Sequence, residues 1–293
     1  MKSIQRLALV LAVLALAACG RGNIRDAAHA PAPGSATVGA LHAGAHDNLN
    51  AVLWMQVATE YEASLRTVYN AAGDVLDRAL ADRSWDALPR VERGGQRVEN
   101  LPPAIILDAD ETVIDNSAYQ ARLIARGETF DAVTWEAFVN ERRSLALPGA
   151  REFLLAAAQR GVTVFYVTNR SAAEKPATYD NLRALGFPMS DPEDTVLTID
   201  EAQGWSPDKS TRRQFVGERY RVLMLFGDNL GDFVDGHRGK SNAERTALVE
   251  GYRDWWGERW FMLPNPSYGG WEGATTRGAD DPNAAKRRAL RTR

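Results

Sequence analysis

The chain of 293 residues is 45% hydrophobic and 25% charged, a soluble globular balance with room for one large domain or two modest ones. A formal net charge of -3 and an isoelectric point near 5.9 give no electrostatic reason to expect polymeric nucleic acid as a partner. The single cysteine, Cys19, excludes an internal disulfide.

In chain order, Lys2 and Arg6 precede an apolar run from Leu7 to Ala18 that is too short to span a bilayer comfortably. A basic start, a short apolar middle and small residues before a cut site predict a secretory signal over 1–18. Leu16-Ala17-Ala18-Cys19 resembles the lipobox of bacterial lipoproteins, which implies that Cys19 is acylated and anchors the chain to a membrane without spanning it. An ordinary signal peptide with an incidental cysteine is the alternative. Gly20 stands where an inner-membrane retention signal would show Asp, which tilts the expectation to the outer membrane. Residues 19–46 are rich in Ala, Gly, Pro and His and predict a flexible tether. His29, His42 and His46 fall within it, too widely spaced to favour a metal tract over linker composition.

From Asp47 to about Leu80 apolar residues recur at helical spacing, with Asp47 as a candidate cap and Gly73 as a candidate break. Ala104 to Leu107, Val162 to Val167, Val196-Leu197 and Val222 to Phe226 are short apolar strands with helical segments between them. That alternation predicts an α/β fold, a Rossmann-like three-layer α/β/α arrangement around a parallel sheet. The main domain is expected over 47–278, with a smaller, mostly helical cap from about 47–100 and 117–147. Residues 279–293, including Lys286, Arg287, Arg288, Arg291 and Arg293, predict a solvated basic tail.

Polar residues follow the strands, where open parallel sheets place their ligands. Asp108-Ala109-Asp110-Glu111-Thr112 follows the first strand, and Thr168-Asn169-Arg170 ends the second. Lys209 lies in a Ser-Pro-Asp-Lys-Ser stretch, and Gly227-Asp228-Asn229-Leu230-Gly231-Asp232 closes the last strand. Phosphoryl transfer needs a positioned nucleophile, cations over the phosphate oxygens and an acid for the leaving group. Two carboxylates 4 Å apart repel by roughly 4 kcal/mol at an effective dielectric of 20. A cluster of Asp108, Asp110, Asp228 and Asp232 therefore demands a cation, and hard oxygen donors beside phosphate favour Mg²⁺. Gly239-Lys240-Ser241 does not make a P-loop, because Val234 stands where that motif needs Gly. Histidine-based phosphatase chemistry is disfavoured too, since only His237 lies in the folded region.

This set of elements resembles the haloacid dehalogenase superfamily of phosphatases. The run from Leu107 to Ser117 is similar to the class C, or four-aspartate, acid phosphatases, and within them to an outer-membrane lipoprotein branch with 5′-nucleotidase members. Further similarity runs through Asn48 to Gln56, Val164 to Arg170 and Asn265 to Gly273. The resemblance implies that Asp108 is the nucleophile forming an aspartyl-phosphate and a ligand of Mg²⁺. It implies that Asp110 protonates the leaving group, activates water and offers its backbone carbonyl to the metal. Thr168, Asn169 and Lys209 would hold phosphate, Asp228 would ligate the metal, and Asp232 would do so through water or by support. Trp135 and Tyr268 match positions that sandwich a nucleobase, although both could equally be packing aromatics among the eight tryptophans and eight tyrosines. Family members carry Asp or a bulkier residue where Gly231 stands. The function so implied is hydrolysis of extracytoplasmic nucleotides. A phosphatase of small phosphomonoesters without base preference and a non-enzymatic ligand-binding lipoprotein remain alternatives.

Overall fold

Short apolar runs flanked by amphipathic helices assemble into one parallel sheet in the computed structural model, which describes residues 48–189 and 194–292. The expected signal segment, Cys19, the tether and Asp47 lie outside the described residues. The chain begins with helices α1 (Leu49–Val57), α2 (Thr59–Ala81) and the short α3 (Arg90–Arg93), then enters strand β1 (Pro103–Leu107). A small insertion follows, made of β2 (Ile114–Asp115), α4 (Ser117–Arg126), α5 (Ala132–Asn140) and β3 (Leu145–Ala146). The core resumes with α6 (Ala150–Gln159), β4 (Thr163–Ser171), α7 (Lys175–Ala184), β5 (Val196–Ile199), α8 (Ser210–Gly217) and β6 (Arg221–Gly227). It ends with α9 (Asn242–Gly251), β7 (Trp260–Met262), α10 (Gly270–Thr276) and α11 (Pro282–Ala289).

The strands lie in the order β5-β4-β1-β6-β7, with every pairing parallel. Side chains alternate across the sheet, so each strand feeds two cores. Ile105, Leu107, Val164 and Tyr166 join Leu65, Leu76 and Phe153 on one face. Ala104, Ile106, Phe165 and Val167 join Val216, Phe233 and Trp260 on the other. This is the expected three-layer fold, and β1 occupies its centre with its C-terminal end opening to the ligand side.

Three expectations are corrected. Helix α2 is not part of the cap: it packs on α6, β6 and β7. Its stripe of Leu65, Tyr69, Ala72, Val75, Leu76 and Ala79 is buried against the sheet. That burial also explains why Gly73 does not break the helix. A glycine costs about 1 kcal/mol in a helix interior, less than burying the neighbouring side chains contributes. The break falls instead at Ala58, whose backbone is extended. Of the N-terminal helices, α1 packs on the insertion, against α4. The insertion carries a satellite core of Tyr119, Leu123 and Phe138 with Trp135 packed against it. Finally, the basic end is not a free tail. Asp281 caps α11 through the amide of Ala284 at 3.0 Å, α11 packs on α10, and Lys286 forms an ion pair with Glu272.

Buried arginines hold elements together at their ends. Arg221 donates to the carbonyls of Ala79 (2.8 Å) and Asp82 (2.7 Å), which satisfies the C-terminus of α2.

Candidate active site

The loop after β1 is built by its backbone. The carbonyl of Ala109 accepts from the amides of Val113 (2.9 Å) and Ile114 (3.0 Å), and Glu111 takes a left-handed conformation at φ 51°. The Tyr69 hydroxyl of α2 donates to the carbonyl of Thr112 at 2.6 Å, tying the loop to the helix layer. These bonds set Asp108 and Asp110 at the strand end.

Asp108 meets the Lys209 ammonium, which donates to its Oδ1 at 2.6 Å. The same ammonium is 2.6 Å from Asp232 Oδ1. Asp232 Oδ2 in turn accepts from the amide of Asn229 at 2.8 Å, so both oxygens of Asp232 are held by the protein. Gly227 makes this possible, because a Cβ there would lie 2.2 Å from Asp232 Oδ2. Asp228 accepts from Asn265 Nδ2 at 2.7 Å. Arg213 fixes the loop from below, donating to the carbonyls of Gly231 (3.0 Å) and Asp232 (3.1 Å) while paired with buried Glu92.

Carboxyl oxygens of Asp108, Asp228 and Asp232 lie within 4.8 Å of one another. Lys209 compensates one charge of the three. Burial pushes the Asp108 carboxyl up to about 7, with Asp232 and Asp110 adding to the rise and Lys209 opposing it. Burial likewise raises Asp228 well above the carboxylate range, Asp232 and Asp108 reinforcing the shift. Burial works against the Lys209 ammonium, but Asp108 and Asp232 outweigh it and raise its pKa. An excess of negative charge on oxygen donors alone fits a hard divalent cation. The Asp228 oxygen without a protein donor among the described residues is available to it, as is one carboxylate oxygen of Asp108.

The Asp110 side chain lies apart from that cluster. Arg170 donates to its Oδ1 from Nη2 at 2.7 Å and from Nε at 3.0 Å, while Asn116 Nδ2 adds a bond at 2.7 Å. Thr168 Oγ1 donates to Asp110 Oδ2 at 3.1 Å and is fully buried, so in this arrangement its hydroxyl serves Asp110. Asn169 Oδ1 accepts from Arg212 at 2.6 Å, and its residue lines the cleft.

A cleft of about 910 Å³ opens over these groups, lined by Asp108, Asp110, Asn169, Lys209, Asp228 and Asp232 among others. Trp135 and Tyr268 both line it. The Trp135 ring packs edge-on to Tyr119, with centroids 5.1 Å apart, and faces the Arg170 guanidinium at 5.4 Å. The Tyr268 hydroxyl donates to Glu111, a carboxyl with no solvent exposure whose pKa burial raises strongly, Asp110 and Asp228 adding to the rise.

The HAD superfamily, subfamily IIIB (acid phosphatase), matches residues 34–271. The chain belongs to this family. Two solved structures of the class C acid phosphatase from Bacillus anthracis, one with tungstate bound, superimpose with TM-scores of 0.72 and 0.71. Both are 33% identical, and the match covers 84% of this chain and 97% of theirs. Acid phosphatase 1 of Solanum lycopersicum is 28% identical over 166 residues. The stem 28 kDa glycoprotein of Glycine max is 23% identical over 169 residues. The chain spans a little over half the length of these plant relatives, 57% and 58% respectively.

Within this subfamily IIIB site, several partners escaped the sequence reading. Arg170 was visible only as the residue after Asn169; nothing in its position announces that its fork closes on Asp110, sixty residues earlier. Glu111 is a similar case, buried behind the loop it organises. The open space at Gly231 has a tenant: a Cβ there would lie 2.6 Å from Cε1 of His237, whose Nδ1 is 3.0 Å from the carbonyl of Val234. The missing side chain and the lone folded-region histidine are one feature.

Proposed function

We propose that this protein is a Mg²⁺-dependent phosphomonoesterase that works through an aspartyl-phosphate on Asp108. The observation that carries the reading is the pairing of Asp108 with Lys209 at 2.6 Å, which leaves one carboxylate oxygen without a protein donor at the cleft floor. That oxygen attacks phosphorus as the bond to the leaving oxygen breaks, and Asp110 delivers a proton to the departing alkoxide. Asp110 then takes a proton from water, whose oxygen attacks phosphorus and releases Asp108 with inorganic phosphate. Arg170, Asn116 and Thr168 aim Asp110 at both steps. Lys209 neutralises charge on the phosphate oxygens. Mg²⁺, held by Asp108 and Asp228 with Asp232 in support and the Asp110 carbonyl as a further donor, would supply electrostatic stabilisation of the transferring group.

The substrate class we propose is 5′-nucleotides, with the base between Trp135 and Tyr268. Both rings line the same cleft, and stacking tolerates different bases. We further propose export, acylation of Cys19 and anchoring at the outer membrane. Among the described residues no helix is long and apolar enough to cross a membrane. Salvage of nucleosides from extracytoplasmic nucleotides would be the role, and unchanged growth of a deletion strain on nucleotides would count against it.

The deciding experiment measures phosphate release from 5′-nucleotides and simple phosphomonoesters, with Mg²⁺ and with EDTA, for wild type and Asp108→Asn. Metal-dependent release abolished by the substitution is expected. Equal rates for nucleotides and simple esters would favour the phosphatase without base preference. No release by folded, metal-loaded protein between pH 4 and 8 would favour the ligand-binding lipoprotein.

A further inference from the structure

The cleft carries positive charge that hydrolysis at Asp108 does not use. Arg238, Lys240, Arg245, Arg277 and Lys286 line it from the segment after His237, from α9 and from the C-terminal helices. Three of the five are committed to carboxylates: Arg238 to Asp208, Lys240 to Glu244 at 3.6 Å and Lys286 to Glu272. Arg277 donates to the carbonyl of Lys240 at 2.7 Å, which leaves its charge unbalanced.

Arg245 differs from all of these. It is half-buried, and among the described residues its side chain has neither an ion pair nor a hydrogen bond. Burial alone lowers its pKa, with no neighbouring acid opposing the shift. The guanidinium lies against the backbone of Gly270, where a Cβ would come within 2.7 Å of Nη1 and 3.0 Å of Nη2. Absence of a side chain at 270 is therefore what seats it. The seat adjoins the floor of the cleft, since a Cβ on Gly269 would lie 3.1 Å from Nδ2 of Asn229, the neighbour of Asp228. A half-buried fork of donors without a protein acceptor, facing the cleft, is placed to take an anionic group of a ligand.

We propose that Arg245, with Arg277 lining the same cleft, is a second anion subsite. The protein would then prefer phosphomonoesters bearing a second phosphate or carboxylate beyond the scissile phosphate. This rests on the phosphatase reading and adds a substrate class to it. The cleft of about 910 Å³ has room for a second group, being near the upper end of pockets that enclose whole small molecules.

The test compares kcat/KM within two substrate pairs on the purified full-length protein. One pair is adenosine 5′-monophosphate and adenosine 3′,5′-bisphosphate, followed by release of the 5′-phosphate. The other is glycerol 3-phosphate and 3-phosphoglycerate. Wild type should favour the second member of at least one pair by about tenfold, as expected for a charge-assisted contact. The pair that responds identifies phosphate or carboxylate as the second group. In Arg245→Gln that ratio should fall toward one through KM, Arg245→Lys should retain part of it, and Gly270→Ala should lower it by unseating the guanidinium. A wild-type ratio near one in both pairs, or a ratio unchanged in Arg245→Gln, overturns the subsite. Absence of phosphate release from all four compounds would instead remove the phosphatase reading. Equilibrium binding of inorganic pyrophosphate to wild type and Arg245→Gln then decides the subsite by itself, equal affinities overturning it.

Discussion

The floor and the aromatic wall of the cleft are held by different means. The floor is made of charges locked by other charges, Asp108 to Lys209 and Lys209 to Asp232, with Asp110 gripped by Arg170, on loops anchored in the main sheet. The wall around Trp135 rests on a satellite core of only Tyr119, Leu123 and Phe138. Phe130 and Val133 beside it are largely exposed, at 63% and 75%. The floor is cross-linked by ion pairs, while the aromatic wall is more lightly supported. Rate and selectivity should therefore be separable by substitution.

The sharpest test of the floor is Asp108→Asn, which should cut turnover by about 10⁴-fold or more in steady-state assays by removing the proposed nucleophile. Next comes Arg170→Met, which leaves Asp110 chemically intact but loses its fork. We expect kcat to fall by about 10²-fold with KM little changed, and Arg170→Lys to recover only part, because a point charge does not reproduce two fixed donors. A KM effect instead would place Arg170 on the substrate. On the wall, Trp135→Ala should raise KM for nucleotides by about tenfold, consistent with one lost stacking contact of ~1–3 kcal/mol, and leave kcat for small esters nearly unchanged. A comparable loss on small esters would erase the division between floor and wall.

The smallest effect concerns pH in metal-free protein. Burial raises the Asp108 carboxyl to about 7 and moves Asp228 and Glu111 in the same direction. Between the ordinary carboxylate range near 4 and about 7 the folded state holds more protons than the unfolded one, so stability falls as pH rises through that window. Melting temperature in EDTA should be a few degrees higher at pH 5 than at pH 7.5, and Mg²⁺ should stabilise more at the higher pH. An opposite slope would mean that the floor is not over-charged.

The sequence exposed the floor better than the wall, for a physical reason. Asp108, Asp110, Lys209 and Asp228 sit at or beyond strand ends, and apolar strands are easily seen. Arg170 went unassigned because its partner lies sixty residues away and one more arginine in a charged chain carries no signal. Helix α2 was misplaced because an apolar stripe tells that a face is buried and not against what. The last helix was hidden by its own composition, since Lys286, Arg287 and Arg288 look solvated until Asp281 caps them and Glu272 meets Lys286. The three-residue strand β7 was too short to stand out between Trp256 and Leu263.

One bond described above reaches beyond catalysis. The Tyr69 hydroxyl, buried in the helix layer, holds the carbonyl of Thr112 and with it the turn that follows Asp108. Local opening of that turn must break this buried bond as well as the turn's own bonds to Ala109. Its amides at Val113 and Ile114 should consequently exchange with deuterium only through global unfolding, at rates shared with the centre of β1. In denaturant the active site would then survive as long as the fold itself, whereas Tyr69→Phe should let the turn exchange early while most of the sheet is still protected.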